Sequence, residues 1–365
     1  MKRHNRLKKH TLGLAAALLV TAGMSQIALA GDSGYVNTSS LRYRTSAQIK
    51  DNNIAGNLSY GQKLERVGTS GQWTMILLNG KKYYVSSAYV TSKKPASAGA
   101  VQTTSQTAAG AQTSGGTAIA LSSNYKYANY SKINSGTATL YRSTASNKKN
   151  KVVCVNAGHG TNGGGSVKTQ CHPDGSAKVT GGTTGAGATS AVAVSSGMTF
   201  ADGTAESKVT LAMAKVLKTK LLNAGYDVLM IRESDDVQLD NIARTVIANN
   251  NADCHIALHW DSTSSNKGAF FMSVPSNATY RAMEPVASHW KQHNQLGESL
   301  ISGLKSAGVK IYSKGSMEMD LTQTSYSTIP SVDIELGDKA SDHSGATLES
   351  LANGPLPGVN TFFGQ

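Results

Sequence analysis

The sequence predicts an α/β domain over residues 151–365, with a mainly parallel sheet and helices on both faces, preceded by a small all-β, barrel-like domain over residues 31–93. Three observations predict it. From Lys151 onward, short apolar runs alternate with segments of helical period, the pattern of a parallel sheet covered on both sides. Residues 31–93 instead carry short β-type runs split by Gly-containing turns. Between them, residues 94–120 are rich in Ala, Ser, Thr, Gly and Gln and have no apolar period, which is linker composition.

The elements follow in chain order. Lys2, Arg3, Arg6, Lys8 and Lys9 precede an apolar run, Leu12 to Val20, and Ala28-Leu29-Ala30 is a small-x-small site. Residues 1–30 therefore read as a secretory signal peptide, removed before Gly31, leaving no stable membrane anchor. Next come Lys63 to Val67, Trp73 to Leu77 and Tyr83 to Val85, with Asn79-Gly80 as a hairpin turn. Residues 94–150 read as linker and extended arm, the arm carrying Tyr125, Tyr127, Tyr130 and Tyr141. Strands are expected at Lys151 to Ala157, Tyr226 to Ile231, Asp253 to His259, Ala269 to Val274 and Ser331 to Leu336. Helices are expected at Thr204 to Ala224, Asp236 to Asn250, Arg281 to Ser306 and within Ala346 to Phe363. The Gly/Thr/Ser/Ala-rich insertion 161–203 is long enough to expect a function for it.

The net charge is +13, divided as +5 in residues 1–30, +5 in 31–93, +6 in 94–150 and −3 in 151–365. The mature N-terminal half is the basic half. An exported basic module points to an anionic surface such as wall polymers, and export argues against nucleic acid. Three cysteines, Cys154, Cys171 and Cys254, cannot complete a disulfide framework. Two of them sit in strand-like runs and read as buried thiols.

Four residues could carry chemistry. His159 follows the first strand, His259 ends the third, and Glu335 lies near the end of the fifth. Such carboxyl ends gather on one edge of an open α/β sheet. Glu206 opens a helix on the stripe of Val209 and Met213 that faces the sheet, where a carboxylate needs a partner. Two imidazoles and one carboxylate suit a zinc ion, and a second carboxylate suits a general base. Singly, each residue has a plain structural reading: a turn histidine, a first-turn acid, a core histidine, a partner for Lys339. His289 and His293 have metal-pair spacing, but Trp290 stands where that motif has Glu, and they read as a solvated helix face. His255 shares a strand face with His259.

Two resemblances sharpen this. Leu41, Arg42, Tyr43 and Arg44, then Gly61, Trp73, Gly80, Val85 and Tyr89-Val90 resemble the bacterial Src-homology-3-like domain, which implies binding to peptidoglycan or another wall component. Residues 151–365 resemble the zinc-dependent N-acetylmuramoyl-L-alanine amidases. The carriers are "VVCVNAGHG", the helix from "AESKVTLAMAK", the block "NIARTVIANNNADCHIALHWDS" and "IPSVDIELGD". The resemblance implies His159, Glu206 and His259 as zinc ligands, Glu335 as the catalytic carboxylate, and peptidoglycan as substrate. The chain departs from the family pattern at Trp260-Asp261 after His259 and at Asp338 to Asp342 after Gly337. Two other readings stay open: a cysteine peptidase of the wall, and a non-catalytic wall-binding protein.

Overall fold

The structure, a computed structural model, describes residues 32–36, 40–48, 53–59, 61–71, 73–94 and 115–365. The expected signal peptide and most of the linker lie outside the described residues. The chain divides into two compact units, one ending at Gln106 and the other beginning at Thr107. No helix among the described residues is long and apolar enough to cross a membrane.

The first unit is a seven-stranded antiparallel sheet. Its strands are β1 (Asp32–Val36), β2 (Ser40–Arg44), β3 (Ile54–Ser59), β4 (Lys63–Ser70), β5 (Trp73–Leu78), β6 (Lys81–Ser86) and β7 (Val90–Thr91), in the order β3-β2-β6-β5-β4-β1-β7. Asn79 and Gly80 both have positive φ (52° and 73°), as the two-residue turn between β5 and β6 requires. Val36, Leu41, Leu58, Leu64, Ile76 and Val85 form its core. Barrel closure is not seen in the pairing: the end strands β3 and β7 are not joined among the described residues.

The second unit opens with β8 (Thr117–Ala120) and β9 (Thr137–Tyr141). Then come β10 (Val152–Ala157), β11 (Lys168–Gln170), β12 (Ser190–Val192), α1 (Glu206–Asn223), β13 (Asp227–Met230), α2 (Asn241–Asn251), β14 (Cys254–Asp261) and β15 (Ala269–Ser273). It closes with α3 (Ala278–Ala282), α4 (Val286–Ser306), β16 (Ile311–Glu318), α5 (Thr322–Tyr326), β17 (Ser331–Asp338), α6 (Gly345–Leu351) and α7 (Pro355–Phe363). Eight strands form one sheet, β16-β15-β17-β14-β10-β13-β9-β8. Val153 and Val155 pack with α1, α4 and α7, whereas the alternate residue Cys154 packs with Ala243, Ile247 and Ala248 of α2. Because successive strand residues face opposite ways, helices lie on both faces.

The sheet is mixed. Parallel pairing holds for β13-β10-β14-β17 and for β15–β16, while β15–β17, β13–β9 and β9–β8 are antiparallel. Three of these strands were not expected. β8 and β9 fall in the stretch read as linker and arm; they are short, and main-chain pairing, of β9 to β13 and of β8 to β9, makes them strands. The arm between them docks by its tyrosines: Tyr127 and Tyr130 stand edge-on to Tyr326, at 5.5 and 5.4 Å between centroids. β16 was missed because Ser313, Lys314 and Gly315 break its apolar pattern. The long helical stretch from Arg281 divides at Pro285, which has no N–H to continue a helix.

Candidate active site

β10, β14 and β17 are adjacent and parallel, so their carboxyl ends share one edge. After Ala157 the chain turns through Gly158 into His159, whose φ is +62°. A Cβ on Gly158 would lie 2.2 Å from Cε1 of His259, so only glycine admits that imidazole. Two buried guanidinium groups hold the turn. Arg232 donates through Nε to Ala157 O (3.0 Å) and through Nη2 to Gly158 O (2.9 Å) and Ser207 O (2.6 Å). Arg244 donates through Nη2 to His159 O (2.7 Å) and Thr161 Oγ1 (2.8 Å). Sequence reasoning gave neither arginine a role, and Arg244 stood only as part of the block that carries His259, because nothing in a lone Arg distinguishes a buried clamp from a surface charge.

Glu206 is the first residue of α1, where the helix dipole favours an anion. It is buried at 2 % exposure. Oε2 accepts from Met198 N (2.8 Å) and Oε1 from Trp260 N (3.0 Å). Oε1 also lies 2.9 Å from His159 Nε2 and 3.1 Å from His259 Nδ1, and those two nitrogens are 3.0 Å apart. His159 Nδ1 donates to Ser195 O at 2.8 Å, which leaves Nε2 free to offer its lone pair inward.

Three donors thus converge from three elements. Four-coordinate zinc with bonds near 2.0–2.1 Å separates its ligand atoms by roughly 3.3 Å, so the observed spacings need only a small expansion. Charge agrees. Burial pushes the Glu206 carboxyl up, but its hydrogen bonds with His159 and His259 outweigh this and hold it far below the usual range. Burial pulls His259 down, yet Asp333 and Glu206 raise it to about 10. A site that keeps its carboxylate ionised and gathers a proton this strongly is one that attracts a cation. The donor set fits zinc.

Glu335 stands on β17 in register with His259. It lines the same cleft, of about 740 Å³. Its Oε2 is buried with no hydrogen-bond partner among the described residues, and Lys339, the expected alternative partner, is exposed. Burial first, then the neighbouring Asp333 carboxylate, pushes the Glu335 carboxyl well above its ordinary value. Asp333, two residues earlier, also lines the cleft and was missed. The only sequence signal was its alternation with Glu335.

The insertion forms one wall of the cleft, with Val194, Ser195 and Met198 against Met272, Met317 and Met319. It is pinned by one buried carboxylate. Asp320 accepts from Lys178 Nζ (2.9 Å), Val179 N (2.6 Å), Thr180 N (3.2 Å) and the Thr180 hydroxyl. Its Oδ2 also lies 3.2 Å from His172 Nε2, so His172, next to Cys171, has a structural partner. All three cysteines are free and buried. Burial raises the thiols of Cys154 and Cys254, the reverse of what a nucleophile needs.

His289 and His293 do not form a solvated face. His293 is buried and its Nδ1 accepts from Ser331 N at 2.9 Å, because α4 packs on β17. His255 is fully buried with neither ring nitrogen bonded among the described residues. Burial pushes both imidazoles down to about 3. The unfolded chain takes up these protons below about pH 6.5, so stability is present above that value and lost as pH falls towards 3. At pH 5 each histidine costs about 2 kcal/mol. Relative to wild type, chelator-treated His255→Leu should therefore gain stability progressively as pH falls from 6.5 to 4 in denaturant titrations. A stability difference that does not change with pH would rule out this account of His255.

Fold and site together define a class: an α/β protein whose cleft, at the carboxyl edge of the sheet, gathers donors for a cation beside an unpartnered carboxylate. Residues 153–353 match the family described as N-acetylmuramoyl-L-alanine amidase, and the match covers more than half of the chain. The chain belongs to this family. Among solved structures, it is similar to the N-acetylmuramyl-L-alanine amidase Ami1 from Mycobacterium smegmatis, at 18 % identity over 60 % of this chain and 99 % of that one, with a TM-score of 0.48. It is similar to Ami1 from Mycobacterium abscessus at 19 % identity, over 58 % and 98 %, TM-score 0.45. The N-acetylmuramoyl-L-alanine amidase from Clostridium difficile 630 matches at 16 % identity, over 59 % and 97 %, TM-score 0.41. No curated protein matches.

Proposed function

We propose that this chain is a secreted peptidoglycan hydrolase. It cleaves the amide between the lactyl group of N-acetylmuramic acid and L-alanine of the stem peptide. His159, Glu206 and His259 hold a zinc ion, and Glu335 is the general base. The observation that carries this is the convergence of three donor atoms within 4.8 Å of one another in the cleft that Glu335 also lines.

Zinc held there supplies a Lewis acid that polarises the scissile carbonyl and lowers the pKa of water. The chain's own groups do the rest. Ser195 O fixes the tautomer of His159. The main-chain N–H groups of Met198 and Trp260 fix the carboxylate plane of Glu206. Glu335 accepts the proton that water gives up as its oxygen bonds to the carbonyl carbon. The same residue returns that proton to the amide nitrogen as the carbon–nitrogen bond breaks. The products are a lactyl carboxylate and a stem peptide with a free L-alanine amino end.

Residues 1–30 act as the export signal in this reading. Residues 31–93, a bacterial Src-homology-3-like module, bind peptidoglycan, and anionic wall polymers associate with the basic N-terminal half. The catalytic unit is residues 151–365, with the docked strands β8 and β9 as its flank. Digestion of purified walls should release stem peptides with free L-alanine amino ends. Dialysis against a chelator should abolish that release and zinc should restore it, while His159→Ala should neither hold stoichiometric zinc nor be restored. Full activity after chelation would dismiss the metal reading, and products with other amino ends would dismiss the bond assigned.

A further inference from the structure

His259 offers Nδ1 to the three-donor centre, and its other ring nitrogen faces a different carboxylate. Nε2 lies 3.6 Å from Oδ2 of Asp333, an ion-pair contact. The register explains the approach. Asp333 pairs with Ala257 and Glu335 with His259, so the Asp333 side chain leaves the same sheet face one step deeper than Glu335. The other imidazole completes the same arrangement with a main-chain acceptor, His159 Nδ1 to Ser195 O at 2.8 Å.

A neutral imidazole carries one N–H and one lone pair, and the outer acceptor decides which nitrogen presents which. For His259 the carboxylate facing the outer nitrogen is Asp333, whose Oδ2 stands just beyond hydrogen-bond distance at 3.6 Å. That carboxylate is otherwise poorly served: Oδ1 is buried without a partner, and His259 is its one ion-pair partner among the described residues. A carboxylate with a buried, unpartnered oxygen weakens the fold unless it answers a donor. An apolar side chain of leucine size would fill the position with no such cost.

We propose that Asp333 is a positioning residue that accepts the Nε2–H of His259 and so turns the Nδ1 lone pair towards the metal. This rests on the zinc reading above. Partners of this kind set ligand orientation and typically change metal affinity about 10–100-fold. Glu335 remains the proton carrier, and Asp333 acts only through His259.

The test is zinc affinity of the full chain, measured by competition with a chromogenic chelator. Wild type, Asp333→Leu, Asp333→Asn and His159→Ala are compared. Asp333→Leu should bind zinc about 10–100-fold more weakly, with a metal-free melting temperature no lower than wild type. Asp333→Asn keeps a carbonyl acceptor and should lose less; it also carries the test if the leucine variant folds poorly. The visible bands of the cobalt-substituted leucine variant should shift. Wild-type zinc affinity and an unchanged cobalt spectrum in Asp333→Leu would overturn the proposal. So would retained affinity with lost turnover, which would put Asp333 on the substrate instead. Failure of the zinc reading itself looks different: wild type and His159→Ala would then bind equally poorly.

Discussion

Glu335→Gln should lower kcat by about 10²–10⁴-fold, the range that a positioned general base contributes, while zinc content stays at the wild-type level. The substitution keeps shape and volume and removes only the ability to take a proton. The acid is poorly stabilised as an anion: Oε2 has no hydrogen-bond partner among the described residues, and burial together with Asp333 raises its pKa well above normal. A group whose folded pKa is raised adds stability below its unfolded value and loses it as pH rises through the folded value. Neutral pH is therefore where Glu335 weakens the metal-free fold, and glutamine should raise its melting temperature there. Loss of activity with a gain in stability is the joint outcome expected. A variant that retains more than a tenth of wild-type kcat would remove Glu335 from the role of base. For wild type, activity should rise with pH through the ionisation of Glu335, and glutamine should erase that limb of the profile.

How much of this was legible in the sequence depends on what each residue's neighbours are. His159 follows a strand of the central sheet and His259 and Glu335 lie in the carboxyl-terminal halves of two others, so alternation and topology bring them to one edge without any coordinates. Glu206 was legible because an acid on an apolar helix stripe has to find a partner. The residues that went unseen depend on pairings between distant segments. Asp333 acquires its meaning from the register of β17 against β14. His293 became buried because α4 packs on β17, which its own i, i+4 spacing does not report. β9 is a strand by main-chain bonds to β13 and β8 by bonds to β9, and such bonds leave little trace in side-chain pattern. The insertion could be recognised as long and polar, but its anchoring on Asp320 joins residues some 140 positions apart.

Arg244 carries the second large effect, and it falls on stability and metal binding together. Its side chain is 1 % exposed, feels the like charge of Arg232 and has no carboxylate in ion-pair contact among the described residues. Burial first, then the like charge of Arg232, lowers its pKa to about 9. Its stabilising partners are oxygens: Leu239 O (3.0 Å), Asn156 Oδ1 (3.1 Å), Ala157 O (3.2 Å), His159 O (2.7 Å) and Thr161 Oγ1 (2.8 Å). Arg244→Met keeps most of the stem volume but leaves His159 O and Asn156 Oδ1 without these donors. Each orphaned buried acceptor costs about 1–3 kcal/mol, partly offset by removing a buried charge, so a net loss of about 3 kcal/mol is expected. Arg244→Lys should not rescue it, since one ammonium cannot span the five acceptors and a lysine buried there tends to lose its proton. The same bonds hold His159 in its left-handed conformation, so zinc affinity should fall along with the denaturation midpoint. A methionine variant within about 1 kcal/mol of wild type and with unchanged zinc affinity would show that Arg232, through Ala157 O and Gly158 O, is enough to hold the turn.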